Sequence, residues 1–167
     1  MPLTHLAYIG LGANLDDRLG RLREAIARVN DLSGCSITGV SSFYRTEPVG
    51  VAGQRWYVNG AVRVATSLRP RSLLRGMLNI ESLMGRERRA KWDPRVIDLD
   101  LLLYGNEIVD QGGLTLPHPL MHERRFVLIP LVELAPDLVH PVLGKTIMDL
   151  LNGTTDDGQK VIRIEEE

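Results

Sequence analysis

The sequence predicts an α/β (α+β) fold in which helices pack on a mostly antiparallel sheet. Two kinds of hydrophobic pattern support this prediction. Runs rich in β-branched and aromatic residues are typical of strands, and segments with an apolar residue every three or four positions are typical of helices. The strand-like runs lie at residues 5–11, 37–44, 57–66 and 96–103, and the helix-like segments at 14–30 and 70–84. Their order, βαββαβ, indicates a ferredoxin-like core.

The first helix is predicted from a start signal and an apolar stripe. Asn14 can cap the first turn, and Asp16 and Asp17 place negative charge where the helix dipole favours it. The stripe consists of apolar residues three or four positions apart: Leu15, Leu19, Leu22, Ile26 and Val29. The helix is expected to end near Asn30, before a Ser-Gly turn.

The second helix is predicted to begin at Pro70, because proline is favoured in a first turn. Its inward-facing residues follow the same spacing: Leu73, Met77, Ile80 and Met84. Beyond the core, short helices are expected near residues 126–134 and 147–151, and a last strand at 161–164.

The 167 residues predict a single domain over residues 1–160, followed by a strand end and acidic tail at 161–167. The net charge of −1 gives no general attraction to nucleic acid or to an anionic membrane. The single cysteine, Cys35, cannot form an intrachain disulfide and fits a reducing compartment. The sequence shows no signal peptide and no stretch near the ~20 apolar residues of a membrane span, so we expect a cytoplasmic protein.

Asp98 and Asp100 are the first candidates for chemistry. Alternate residues of a strand point to one face, so the two carboxylates would lie side by side, about 6.6 Å apart. Oxygen ligands of this kind suit Mg²⁺, which takes one or two carboxylates and completes its shell with water and phosphate. A lone Asp-x-Asp is more often a pair of solvent-facing acids, so a metal site is indicated only if the neighbouring sequence supports it.

A basic loop directly precedes this strand. Residues 85–95 carry five cations and two acids, a local net charge of +3. The cations are Arg86, Arg88, Arg89, Lys91 and Arg95. Guanidinium groups match phosphate oxygens, and Trp92 could cover a purine ring. Alone, the loop could equally be a solvated or RNA-contacting segment; beside a carboxylate pair it indicates a site for Mg²⁺-bound polyphosphate.

Two more residues are candidates for binding. His118 lies between two prolines in a stiff loop that suits a phosphate hydrogen bond, although a surface histidine without a role is the commoner case. A zinc site with Asp98 and His122 would not follow a recognisable ligand spacing. Asn59 stands in the middle of a strand, where a buried amide needs partners such as the edge of a flat heterocycle.

Five segments together resemble a known family: SSFYRTEPVG, YVNGAV, GRERR with Trp92, DPRVIDLDLLLYG and LTLPHPLMHERRFVLIPLVELAP. Over residues 6–140 the chain resembles 6-hydroxymethyl-7,8-dihydropterin pyrophosphokinase of folate biosynthesis. The resemblance implies a monomeric, ferredoxin-like enzyme that moves the β- and γ-phosphates of ATP together to the hydroxymethyl group and releases AMP. Its partners would be the small molecules ATP and the reduced pterin alcohol, with no nucleic acid and no membrane.

The resemblance also implies roles for individual residues. Asp98 and Asp100 would hold two Mg²⁺ ions. The catalytic residues would be Arg86, Arg88, Trp92, Arg95, Asp98 and Asp100. The ATP-binding residues would be Glu81, Arg86, Arg88, Trp92, Arg95, His118 and Arg124. The pterin-binding residues would be Thr46, Val49, Tyr57, Asn59 and Phe126, with the two rings stacking on the pterin.

The chain departs from the family pattern in three places. Pro119 stands where a tyrosine often follows the histidine, which removes a possible nucleotide contact. Glu47 stands where proline is common. The basic loop is one residue shorter than in well-known members, so the roles of Arg89 and Lys91 stay open.

Two other functions fit parts of the pattern. A ferredoxin-like sheet can bind single-stranded RNA on exposed aromatic rings, and an Asp-x-Asp pair also suits other Mg²⁺-dependent nucleotidyl transferases or nucleases. RNA binding is disfavoured because the chain lacks the aromatic-rich glycine motif of an RNA-binding sheet. An acidic pair would also repel phosphate unless metal is present.

Overall fold

The computed structural model describes residues 5–14, 17–48, 56–85, 96–155 and 158–165. Within these ranges the helices are α1 (Arg18–Asn30), α2 (Pro70–Met84), α3 (Arg125–Leu134) and α4 (Ile147–Asn152). The strands are β1 (His5–Ala13), β2 (Cys35–Val40), β3 (Tyr44–Thr46), β4 (Tyr57–Thr66), β5 (Asp98–Tyr104), β6 (Val109–Gln111), β7 (Leu114–Leu116) and β8 (Val161–Arg163). None of the helices in these ranges combines the length and apolar character that a membrane span requires.

The main sheet has the strand order β5-β1-β4-β3-β8, with β2 also paired to β4. Every pair in it is antiparallel. Strand β1 lies between β5 and β4, as the first strand of a βαββαβ unit does. The predicted fold class, helices packed on an antiparallel sheet with a ferredoxin-like core, is confirmed.

The predicted strand at 37–44 is divided into β2 and β3, which pair with the two halves of β4 along the same edge. Ser41 bridges the interruption. Its backbone N–H donates to the carbonyl oxygen of Ala61 at 2.9 Å, and its Oγ accepts from the N–H of Ala61 at 2.9 Å. Because the hydroxyl replaces a backbone acceptor, the edge can bend here without leaving that amide unpaired.

Helix α1 begins at Arg18, later than the predicted start at Asn14. Strand β1 keeps its pairing with β4 as far as Ala13, so Asn14 follows the strand and does not cap the helix. The residue before the helix is Asp17, whose side chain makes no capping hydrogen bond. The prediction of an Asn14 cap is therefore wrong, and strand pairing is the reason.

Each face of the sheet has its own apolar core. One face packs against α1 and α2 in a cluster that includes Ile9 and Met77. The other face packs against α3 and α4 in a cluster that includes Tyr8 and Leu128. Those two helices leave part of the second face open, near the end of β1 and the starts of β4 and β5.

A bulge in β5 separates the open part of this face from the covered part. Ile9 of β1 pairs with Leu101, whereas the preceding Tyr8 pairs with Leu103. Leu102 is the additional residue, and both Leu102 and Leu103 consequently contact the second core. The predicted alternation of the strand therefore holds before the bulge, where the acidic pair lies, and ends at the bulge.

Candidate active site

The open part of the second face holds a cavity of about 460 Å³. The sheet forms its floor, and the beginning of α3 contributes to its wall. Several residues singled out in the sequence line this cavity together: Thr46, Tyr57, Asn59, Asp98, Asp100, Arg124 and Phe126.

Asp98 and Asp100 are half-buried in the cavity wall, on the same face of β5. In the pairing with β1, Asp98 lies opposite Gly12 and Asp100 opposite Gly10. Glycine has no side chain, so the neighbouring strand projects nothing over either carboxylate at these positions. The two acids therefore border the same open space.

The chemistry of this donor pair fits magnesium. The described part of the chain contains no group of three or more His, Cys, Asp or Glu side chains arranged for a metal. Two carboxylates alone offer hard oxygen ligands and leave coordination positions for water and phosphate, as Mg²⁺ prefers. A zinc site with His118 and His122 would need a larger group and is not supported.

Two buried oxygens in the cavity wall have no hydrogen-bond partner among the described residues: Oγ1 of Thr46 and Oδ1 of Asn59. The amide of Asn59 is oriented by Nδ2, which donates to the carbonyl oxygen of Leu11 at 3.4 Å. Gly12 makes room for this side chain, since a Cβ there would lie 2.8 Å from Nδ2. Buried polar atoms without partners cost free energy, so this wall is suited to a ligand with a polar edge.

Two aromatic residues also line the cavity. Tyr57 is the first residue of β4, and Phe126 lies in the first turn of α3. The guanidinium carbon of Arg124 is 5.8 Å from the centroid of the Phe126 ring. The cavity thus combines ring faces suited to a flat ligand with a nearby cation.

A second cavity, of about 310 Å³, adjoins the first at Asp100, which lines both. Glu81 of α2 and His118 lie in its wall. The Glu81 carboxylate accepts a hydrogen bond from the N–H of Leu99 at 2.7 Å, which ties the end of α2 to the start of β5. This bond connects the helix before the basic loop with the strand after it.

His118 is held through both its backbone and its ring. Its backbone N–H donates to the carbonyl oxygen of Leu102 at 2.9 Å, and its ring Nδ1 accepts from the N–H of Leu120 at 3.2 Å. Burial lowers the pKa of His118; the Asp100 carboxylate opposes this effect and Arg124 adds to it. The neutral ring carries its proton on Nε2, where it can donate to a ligand oxygen.

Other predicted site residues lie outside the described residues: Val49, Arg86, Arg88, Trp92 and Arg95. Their assigned roles stay predictions, as does the nucleotide contact of Glu81.

The sequence did not single out Gln159 as a lining residue, although it contributes to the larger cavity. Its Nε2 donates to the carbonyl oxygen of Glu47 at 2.7 Å, across a sequence separation of 112 residues. No local pattern could have joined these positions, because periodicity reports only on residues of one element.

The antiparallel α/β fold and the acidic pair between two cavities, one of them lined by rings, define a class: a phosphotransferase for a small flat substrate. The family model described as 7,8-dihydro-6-hydroxymethylpterin-pyrophosphokinase (HPPK) matches residues 8–136. The chain belongs to this family.

Curated relatives agree. The 2-amino-4-hydroxy-6-hydroxymethyldihydropteridine pyrophosphokinase of Synechocystis is 46% identical over 147 residues, which cover 88% of this chain and 75% of the relative. The protein of the same name from Bacillus subtilis is 44% identical over 132 residues, 79% of each chain. These relatives confirm the predicted ATP-dependent pyrophosphokinase activity in folate biosynthesis and decide against the RNA-binding and nucleotidyl-transferase alternatives.

Solved structures share the fold. Plasmodium falciparum HPPK-DHPS A437G superposes with a TM-score of 0.71 at 17% identity, over 89% of this chain and 45% of that chain. A further HPPK-DHPS structure, in complex with substrates, gives a TM-score of 0.69 at 14% identity. The chain spans less than half the length of these proteins.

Proposed function

We propose that the chain binds 6-hydroxymethyl-7,8-dihydropterin in the larger cavity and Mg²⁺-bound ATP in the smaller one, and that the two substrates react beside Asp98 and Asp100. The product is the pterin diphosphate, and AMP is released. One observation carries this proposal: Asp100 lines both cavities, so the acidic pair stands where a flat substrate and a nucleotide would meet.

The unpartnered oxygens support a pterin in the larger cavity. Oδ1 of Asn59 can accept from an N–H of the ring edge, and the hydroxyl of Thr46 can donate or accept. Tyr57 and Phe126 supply ring faces for stacking, and backbone groups at Val49 are proposed to complete the readout of the edge. A site of buried hydrogen-bonding groups discriminates strongly against analogues that lack the matching groups.

Asp98 and Asp100 are proposed to hold two Mg²⁺ ions. When bound, Mg²⁺ would neutralise phosphate charge and favour ionisation of the attacking hydroxyl. The chain adds the positive charge of Arg124 and the Nε2 proton of His118, each suited to a phosphate oxygen. Glu81 and the four residues Arg86, Arg88, Trp92 and Arg95 are proposed to bind and cover the nucleotide.

The proposed reaction is an in-line displacement at the β-phosphorus of ATP. The hydroxymethyl oxygen forms a bond to this phosphorus and gives up its proton to solvent water. The bond between the β-phosphorus and the oxygen shared with the α-phosphorus breaks, so that AMP leaves with the electron pair. Asp100 is the carboxylate proposed to lie beside the attacking hydroxyl. The enzyme is proposed to act as a monomer.

The test is the release of AMP from ATP with and without the pterin alcohol. We expect AMP only when the pterin is present. Asp98→Asn and Asp100→Asn should each lower kcat at least about 100-fold, because loss of charge stabilisation costs several kcal/mol. Asp110→Asn changes an exposed acid on β6 and is the matched control. Pterin-independent AMP would contradict the function, and near-normal turnover of Asp98→Asn would contradict the metal site.

A further inference from the structure

We infer, on the basis of the proposed function, that residues 158–163 are a positioning element for the pterin. Gln159 and the backbone of Lys160 hold Glu47 in the cavity wall and so set the affinity for this substrate. The segment lies beyond residues 8–136, which the family model matches.

Three hydrogen bonds converge on Glu47 from this segment. Nε2 of Gln159 donates to the carbonyl oxygen of Glu47 at 2.7 Å. The N–H of Glu47 donates to the carbonyl oxygen of Lys160 at 2.9 Å. The backbone N–H of Lys160 donates to the carboxylate oxygen Oε1 of Glu47 over a longer N···O distance of 3.4 Å. The N–H, the C=O and the side chain of one residue are thus all held by two successive residues.

These three hydrogen bonds, called the Glu47 clamp below, lie at the proposed pterin site. Glu47, Pro48 and Gln159 all line the larger cavity. Glu47 directly follows Thr46, which lines the same cavity and whose buried Oγ1 has no partner among the described residues. Thr46 in turn pairs with Val161 of β8, so the clamp continues a strand pairing into the cavity wall.

The residue type at position 47 makes the clamp possible. A proline at this position would have no N–H to donate to Lys160 and no carboxylate. Glutamate provides both. Because the wall is fixed before the ligand arrives, less conformational freedom has to be lost on binding, and affinity is gained.

The first experiment compares Michaelis constants for Gln159→Ala and for Gln111→Ala. Gln159→Ala removes the amide donor, and we expect the pterin KM to rise about threefold to tenfold, the range of one net hydrogen bond. The KM for ATP and kcat should stay within about twofold, because the nucleotide cavity is untouched. Gln111→Ala removes an exposed amide on β6 that lines neither cavity and should match the wild type.

A second variant tests the coupling. Glu47→Pro removes the N–H donor, and the double variant with Gln159→Ala should raise the pterin KM by less than the product of the single effects, because both variants loosen the same residue. An equal rise in the KM for ATP, an unchanged pterin KM in Gln159→Ala, or strictly multiplicative effects would each overturn the inference. If the wild type itself made no AMP from ATP and pterin, the proposed function would fail instead.

Discussion

At the scale of a single residue, the hydroxyl of Thr46 is expected to favour ligand binding and to lower the stability of the free protein. It is buried, and it has no partner among the described residues. An unsatisfied buried hydroxyl lowers stability in the free protein, and the same hydroxyl is available to a ligand.

Thr46→Val replaces this hydroxyl with a methyl group of similar size. We expect the free energy of unfolding of the ligand-free protein to stay constant or to rise by about 1 kcal/mol, while the pterin KM rises about fivefold to tenfold. Denaturant unfolding and steady-state kinetics measure the two effects. Thr38→Val, at an exposed threonine of β2, should leave the pterin KM unchanged. A clear loss of stability in Thr46→Val would mean that the hydroxyl is already satisfied.

Gly12 illustrates how a missing side chain shapes the site. A Cβ at Gly12 would lie 2.8 Å from Nδ2 of Asn59, whereas a Cβ at Gly10 would lie 3.4 Å from the Leu102 side chain, an ordinary van der Waals distance. Gly12→Ala should therefore displace the Asn59 amide, raise the pterin KM at least about tenfold and cost about 1–3 kcal/mol of stability. Gly10→Ala should cost less than about 1 kcal/mol. Equal melting temperatures for the two variants would contradict this explanation.

At the scale of elements, a tie between the buried Tyr44 and the exposed Glu133 joins β3 to α3. The Tyr44 hydroxyl donates to one oxygen of the Glu133 carboxylate, and the N–H of Ser42 donates to the other at 2.9 Å. Burial, followed by the hydrogen bond to Glu133 and its charge, raises the pKa of Tyr44 to about 12, and Arg163 opposes the rise. For Glu133, burial opposes these hydrogen bonds, which nevertheless lower its pKa.

This tie predicts an alkaline loss of stability. The folded-state pKa of Tyr44 is above its ordinary value, so the contribution is complete below about pH 10 and is lost as the pH rises through about 12. Between these values the wild type should lose about 1 kcal/mol more of its free energy of unfolding than Tyr44→Phe does, since solvent screens the exposed Glu133. Urea titrations at a series of pH values measure the difference, and parallel curves for the two proteins would disprove the tie.

Elements whose signal lies within one continuous segment could be predicted from the sequence. The strand Tyr57–Thr66 and the helix Pro70–Met84 have their predicted bounds, because a run of strand-forming residues marks the first and a four-residue apolar stripe marks the second. The predicted start of α1 was wrong because β1 continues to pair with β4, a segment remote in sequence, as far as Ala13, directly before the proposed cap at Asn14. The β6–β7 hairpin was not predicted, although its turn contains Gly112 and Gly113, both with positive φ.

Some residues of the candidate site could likewise be predicted from the sequence, and others could not. The acidic pair could be predicted because two alternate residues of one strand carry it, and Asn59 because its amide stands in the middle of a strand. The ring positions followed from the family resemblance. Gln159 could not, since its role depends on a contact with Glu47 across the sheet edge.

For the whole molecule, the two cavities connect segments that are far apart in sequence. The larger one contains residues of β1, β3, β4, β5, α3 and the segment before β8, and the smaller one adds α2 and β7. Unfolding separates these segments, so a ligand that needs all of them binds the folded state alone. Binding should then stabilise the entire domain and not one loop.

The stabilisation of the folded protein by a bound ligand can separate metal binding from catalysis. A non-hydrolysable ATP analogue with Mg²⁺, at about 100 times its Kd, should stabilise the folded protein by about 2.7 kcal/mol, which thermal unfolding detects as a rise in Tm. Asp98→Asn and Asp100→Asn should lose most of this rise while their ligand-free Tm stays close to that of the wild type, because removing one charge relieves the repulsion between the two carboxylates. Asp110→Asn should retain the full rise. If omission of Mg²⁺ left the wild-type rise intact, or if Asp98→Asn kept it, the acidic pair would not be the metal site.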